Sequence, residues 1–209
     1  MRVIEPKQRA LIEYGVAGRP LLGQSASGDV HVIKPFESGA LLALIDGVGH
    51  GDGATVAAKL AAQIVQENAR EPVISLVQRC HRAMAQTRGA VMTVASINAL
   101  DDTVTWIGVG NVEGRLLRAD KANSHPCESV LLRNGLLGLQ LPALQAAVLP
   151  LAPGDMLIFA TDGIHTGFEQ GLSLAVPPSR VADQILKQHF KGTDDAMVVV
   201  VRYIGLPHE

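Results

Sequence analysis

Ala40-Leu41-Leu42-Ala43-Leu44-Ile45-Asp46-Gly47-Val48-Gly49-His50-Gly51-Asp52-Gly53 passes from an unbroken apolar run into an aspartate, then into a loop in which every second residue is glycine. A short continuous apolar run predicts a buried strand. Gly47, Gly49, Gly51 and Gly53 leave a backbone that can turn sharply and come close to a ligand. Asp46 is therefore expected at the mouth of a strand, held rigidly behind and clear of bulky side chains in front. A carboxylate so placed suits a metal ion or a charged substrate.

Working outward, Asp52 or Gly53 can cap the helix that follows, in which Val56, Leu60 and Ile64 recur at helical spacing with Ala57, Ala61 and Val65 beside them. Pro72 suits the first turn of a second helix, whose apolar stripe is Val73, Leu76, Val77, Cys80, Ala83 and Met84. The two helices are expected to pack antiparallel. Upstream, residues 11–17 and 27–33 read as strands. Downstream, residues 91–99 and 103–109 form a hairpin around Asp101-Asp102. Further short strands are expected at 115–118, 130–133, 146–149 and 155–160, a helix at 178–190, and a buried closing strand at 196–201. Many strands around one helical pair and a late helix predict an α+β fold, a central antiparallel β-sandwich flanked by helices. No repeat, low-complexity tract or linker interrupts the chain, so residues 1–209 are read as one domain.

Bulk properties narrow the function classes. The 209 residues are 47% hydrophobic but only 3% aromatic, so the core is built from Val, Leu, Ile and Ala. A formal net charge of −2 argues against nucleic acid as a partner, which demands clustered basic charge. Two cysteines, Cys80 and Cys127, are too few for a disulfide framework and fit a reducing compartment. No apolar run approaches the ~20 residues that span a bilayer, and no signal-peptide pattern opens the chain. A cytoplasmic protein with no membrane partner is the expectation.

Three other places repeat the setting of Asp46. Residues 156–163 are again an apolar run ending in Asp162-Gly163, Asp194-Asp195 immediately precedes the last strand, and Asp29 follows Ser27-Gly28 at the start of its own. An antiparallel arrangement can bring such ends together, and a cluster of hard oxygen donors favours Mg²⁺ or Mn²⁺. Each Asp-Gly pair taken singly reads first as a plain turn, and Asp194-Asp195 equally as a solvated cap. As a set they point to phosphoryl hydrolysis, in which paired metal ions bind the phosphate and activate a water. His50 and His165, each within four residues of one of these aspartates, are candidate proton donors to the leaving oxygen or simply exposed loop histidines.

Two rival motifs fail on their chemistry. Cys127 and Arg133 have the spacing of a cysteine-dependent phosphatase loop, but the five intervening residues contain no glycine and begin with Glu128, which opposes a thiolate. Gly49-x-Gly51-x-x-Ala54 imitates a dinucleotide fingerprint, yet Asp46 would face the pyrophosphate and no second acidic strand end lies about 20 residues on. Cys80 lies on a core stripe, and His81 falls off it toward the surface.

Ser27-Gly28-Asp29, Asp46-Gly47-Val48-Gly49-His50-Gly51, Asn134-Gly135-Leu136-Leu137-Gly138-Leu139, Pro153-Gly154-Asp155 through Thr161-Asp162-Gly163-Ile164, and Asp194-Asp195-Ala196-Met197 resemble, in order and spacing, bacterial PPM (PP2C-like) serine/threonine phosphatases. The likeness is to the branch that contains SpoIIE, RsbU and RsbX. It implies a four-layer αββα fold. It also implies that Asp46 bridges two Mn²⁺ or Mg²⁺ ions, that the Gly47 carbonyl binds one of them, and that Asp162 and Asp194 complete the site. Asp29 would lie at or just outside the ligand shell, with Asp195 ranked below Asp194. The chain departs from many relatives in three places. Val48 stands where a general-acid histidine is usual, Asn111 where a further aspartate could hold a third metal, and Met197 where a threonine is common.

A chain beginning and ending with the phosphatase domain resembles the stand-alone stressosome feedback phosphatases of RsbX type. That implies phosphorylated STAS-domain proteins of the stressosome (RsbS and RsbR types) as substrates. Removing a phosphate there deletes about 1.5 to 2 negative charges and alters docking. The alternatives are a phospho-STAS binding module with weak catalysis, or a phosphatase acting on another phosphoprotein or a small phosphomonoester.

Overall fold

The computed structural model describes residues 10–24, 27–49, 51–120 and 125–206. The chain opens with strands β1 (Ile12–Arg19), β2 (Asp29–Phe36) and β3 (Gly39–Gly47), then helices α1 (Asp52–Glu67) and α2 (Val73–Ala83). Strands β4 (Ala90–Asn98), β5 (Thr103–Val109), β6 (Glu113–Leu117), β7 (Cys127–Ser129), β8 (Leu132–Arg133), β9 (Ala147–Pro150) and β10 (Met156–Ala160) follow. Helix α3 (Pro178–His189) and strand β11 (Ala196–Tyr203) close the described chain.

The strands form two sheets, one ordered β1-β11-β10-β6-β7 and the other β2-β3-β4-β5-β8, with β9 also pairing to β5. The apolar run of β3 is explained by burial on both of its faces. Leu41, Ala43 and Ile45 pack toward α1 and α2, while Leu42 and Leu44 face the first sheet across a core that includes Trp106, Leu157, Phe159, Val199 and Tyr203. On the far side, Ile158, Val198 and Val200 of the first sheet pack against Val181, Ala182 and Ile185 of α3. The layers are thus helices, sheet, sheet and helix, the expected α+β sandwich. One feature departs from a purely antiparallel sandwich: β8 runs parallel to β5.

Several local expectations are corrected. Helix α1 is turned so that Ala54, Ala57, Ala58, Ala61, Ala62 and Val65 are buried, while Val56 is 61% exposed. Alanines, not the larger residues, bring the helix against the sheet. Its cap is Gly51, with no side-chain hydrogen bond, rather than Asp52 or Gly53. Residues 130–133 are not one strand. Residues 127–129 pair with β6 in one sheet and Leu132–Arg133 with β5 in the other, so the segment crosses between sheets. His81 is half-buried, and its Nδ1 accepts the Gly138 N–H at 3.1 Å, tying α2 to the Asn134–Leu139 turn.

Candidate metal centre

Asp29 and Asp46 are direct partners in the β2–β3 ladder. Side chains alternate along a strand, so Asp46 shares the face of Leu42 and Leu44 and both carboxylates enter the gap between the sheets at one end. Asp162 stands two residues past the end of β10, and Asp194 and Asp195 immediately precede β11, which places all three at the facing end of the other sheet. The antiparallel register of β10 and β11 brings these two segments together: Thr161 N–H donates to the Met197 carbonyl at 3.0 Å.

Two polar contacts join the sheets here. Thr161 Oγ1 donates to Asp29 Oδ2 at 2.8 Å, in a buried link between residues far apart in sequence. Asp195 accepts the Leu21 N–H on Oδ1 and the Gly28 N–H on Oδ2, each at 2.6 Å. The buried Asp195 carboxylate is thereby engaged on both oxygens by backbone. Asp194 is exposed, and its Oδ1 accepts the Asp195 N–H at 2.8 Å. Asp162 is half-buried; Asn111 Nδ2 donates to its Oδ2 at 2.7 Å, and Lys191 Nζ donates to its carbonyl at 2.6 Å.

Gathered acids in a half-dry setting resist ionisation. Burial pushes the Asp46 carboxyl up to about 8, and the charges of Asp29, Asp162, Asp194 and Asp195 add to the effect. Burial likewise pushes Asp29 up to about 7 against the opposing hydrogen bond from Thr161, with Asp195, Asp162 and Asp194 reinforcing the rise. Asp162 is raised by burial and by Asp194, while Lys191 and the Asn111 hydrogen bond pull it down. The site is an excess of negative charge partly compensated by one lysine.

The donor set is all oxygen, which fits Mg²⁺ or Mn²⁺ and not a thiolate- or imidazole-seeking metal. Among the described residues, no three His, Cys, Asp or Glu side chains close tightly enough to form a protein cage for one ion.

Gly47 is fixed by close packing. A Cβ there would lie 2.1 Å from the Ala54 carbonyl oxygen, so only glycine lets the loop fold back against α1. Its N–H donates to the Gly28 carbonyl at 3.2 Å, which joins the Asp46 loop to the approach to β2.

The remaining sequence candidates separate. His50 lies outside the described residues. His165 is exposed, three residues after Asp162, with its backbone N–H on the His189 carbonyl. Cys127 is exposed on β7, and its thiol is raised by burial and then by Glu169, the reverse of an activated nucleophile. Two contributors escaped sequence reasoning. The hydroxyl of Thr161 looked like part of a strand end, and no local pattern marked Lys191; both act across sequence-distant contacts.

The profile of the family described as Stage II sporulation protein E (SpoIIE) matches residues 37–204. Phosphoserine phosphatase RsbX of Bacillus subtilis (strain 168) is 28% identical over 143 residues, covering 68% of this chain and 70% of that protein. A chain solved in work on the bacterial stressosome, as a modular system adapted to control secondary messenger signaling, superposes with a TM-score of 0.83 at 28% identity, covering 91% of this chain and 99% of that one. RsbX in complex with magnesium superposes with a TM-score of 0.82 at 24% identity, covering 92% and 95%.

Proposed function

This chain belongs to the Stage II sporulation protein E family, and from that premise we propose that it is a metal-dependent protein serine/threonine phosphatase. The observation that carries the reading is the meeting of Asp29 and Asp46 from one sheet with Asp162 and Asp194 from the other, at one end of the sandwich. Similarity to a phosphoserine phosphatase and to a protein solved with magnesium supports the same chemistry.

Asp46, the Gly47 carbonyl, Asp162 and Asp194 would hold two Mn²⁺ or Mg²⁺ ions. Bound there, the ions supply Lewis-acid stabilisation of phosphoryl charge and a water of lowered pKa. Asn111 and Lys191 orient Asp162 by its side chain and its carbonyl. Thr161 fixes Asp29 beside Asp46, and Asp195 clamps the backbone leading into β2. The departing seryl oxygen needs a proton, and His165 is the candidate donor among the described residues.

The substrates are phosphorylated STAS-domain proteins of the stressosome, of RsbS or RsbR type, and the enzyme acts in the cytoplasm as a negative-feedback regulator of the stress response. Similarity to RsbX and to a chain from a stressosome study supports this assignment. None of the described helices is long and apolar enough to cross a membrane. The test is phosphate release from p-nitrophenyl phosphate and from phosphorylated STAS proteins, with Mn²⁺ and with chelator. Turnover of both substrates, lost on chelation, is expected. No release at millimolar Mn²⁺ overturns the reading, and release from the small ester alone overturns the substrate.

A further inference from the structure

We propose that Arg88 is the residue that binds the phosphoryl group of the substrate, an inference that rests on the phosphatase reading above. Arg88 is exposed and stands two residues before β4. The start of β4 is fastened to the end of β3, with Ala90 paired to Gly47 and the Val48 N–H donating to the Gly89 carbonyl at 3.1 Å. The Arg88 side chain then crosses the glycine loop that follows Asp46. A Cβ on Gly49 would meet its Nη1 at 3.5 Å, and one on Gly53 would meet its Nε at 2.6 Å. The guanidinium therefore lies against the glycine backbone of the loop that follows Asp46, at the start of α1.

That position makes no sense as a stabilising one. A cation at a helix N-terminus is opposed by the helix dipole. The Arg88 side chain has no hydrogen bond or ion pair with any other described residue, although Asp52 stands in the first turn of α1. A cation held at the start of that helix, without a described partner and against the loop that leads away from Asp46, is placed to meet a ligand. The ligand must be an anion. Guanidinium presents its donors as a planar fork that matches a phosphoryl group. The site otherwise offers carboxylates, which repel phosphate, and Lys191, whose Nζ is already bonded to the Asp162 carbonyl. Arg88 supplies a protein-borne positive charge against the loop that follows Asp46.

The surroundings fit a protein-borne phosphate. Leu139 is 64% exposed, and Val48 is also exposed. A Cβ on Gly89 would lie 2.9 Å from Leu139 Cδ1, so this apolar surface adjoins Arg88 directly. A phosphorylated side chain can reach Arg88 while its flanking backbone rests on Val48 and Leu139.

The experiment compares wild type, Arg88→Ala and Arg88→Lys, all loaded with Mn²⁺. It measures p-nitrophenyl phosphate kinetics, inorganic phosphate affinity by calorimetry, and Mn²⁺ affinity. Loss of a charge-assisted phosphate contact raises KM and the phosphate dissociation constant roughly ten- to hundredfold in Arg88→Ala. Arg88→Lys recovers part of this, and Mn²⁺ affinity stays unchanged. An active wild type whose phosphate affinity and KM are unaffected by Arg88→Ala overturns this proposal and leaves the phosphatase reading standing. An inactive wild type that nevertheless loses phosphate binding on Arg88→Ala overturns the phosphatase reading and keeps the anion site. An inactive wild type with no Arg88-dependent phosphate binding overturns both.

Discussion

Asp29 and Asp46 occupy directly opposed positions in the β2–β3 ladder, so two carboxyls enter the same inter-sheet gap side by side. Nothing in the stability of a β-sandwich asks for this. Like charges directly opposite one another on a sheet are destabilising, and both groups are pushed far above the usual carboxylate range by burial and by neighbouring acids.

The first prediction concerns pH. For Asp29, Asp46 and Asp162 the folded state raises the pKa, so it favours the protonated form. Their stabilising contribution is complete below the unfolded carboxyl value of 3.8 and is lost as pH rises toward about 7 for Asp29 and about 8 for Asp46. Chelator-treated protein should therefore lose thermal stability from these groups between pH 5 and 8. Added Mn²⁺, which needs the ionised forms, should raise Tm more at pH 8 than at pH 6 and release protons on binding. Calorimetry in buffers of different ionisation enthalpy checks both. An Mn²⁺-induced shift independent of pH would contradict the assignment.

Asp46→Asn and Asp162→Asn remove proposed metal ligands. Turnover of p-nitrophenyl phosphate should fall by more than about a hundredfold, beyond what a supporting contact to a metal site is worth. The circular dichroism spectrum should be unchanged. A variant that keeps its activity at saturating Mn²⁺ removes that residue from the site.

The adjacent acids Asp194 and Asp195 should behave in opposite ways. Asp195→Ala leaves the buried Gly28 N–H and the part-buried Leu21 N–H without their acceptor, at a cost of about 3 kcal/mol. Asp194 is exposed, so Asp194→Ala should change stability by less than about 0.5 kcal/mol while weakening Mn²⁺ binding. Urea unfolding and metal titration of the pair separate clamp from ligand.

Gly47→Ala forces a Cβ to within 2.1 Å of the Ala54 carbonyl oxygen, a backbone atom that cannot rotate away. The expected cost is several kcal/mol, on the order of 3, with a shift of α1 away from β3 visible in a crystal structure. A fully stable, active Gly47→Ala protein would contradict the packing argument.

Cys127→Ser should leave kcat and KM unchanged, because the thiol is raised and sits on a short edge strand. A dead variant would restore the thiolate mechanism.

How much of this was legible in sequence follows from the range of each signal. The β3 run, the α2 stripe and the β4–β5 hairpin are written in local periodicity. A sandwich flanked by helices follows from the count of strands and helices, whereas its four-layer form is what the family resemblance implies. The rotation of α1 was misread because its buried face is made of alanines, which periodicity weighs less than Val56. The split of residues 127–133 between two sheets has no local signature at all.

The sequence by itself determined which residues could carry the chemistry: Asp29, Asp46, Asp162 and Asp194-Asp195, each at an end of a predicted strand, because strand ends and glycine turns are encoded by neighbouring residues. Only the tertiary structure decided how these acids divide the work. Asp195 is taken up by the backbone of Leu21 and Gly28, Asp29 is held by Thr161, and Asp162 is oriented by Asn111 and Lys191. Arg88 lies across the loop after Asp46. Hydrogen bonds and charge act over a few ångströms of space, and here those ångströms join residues that the chain separates by tens to more than a hundred positions.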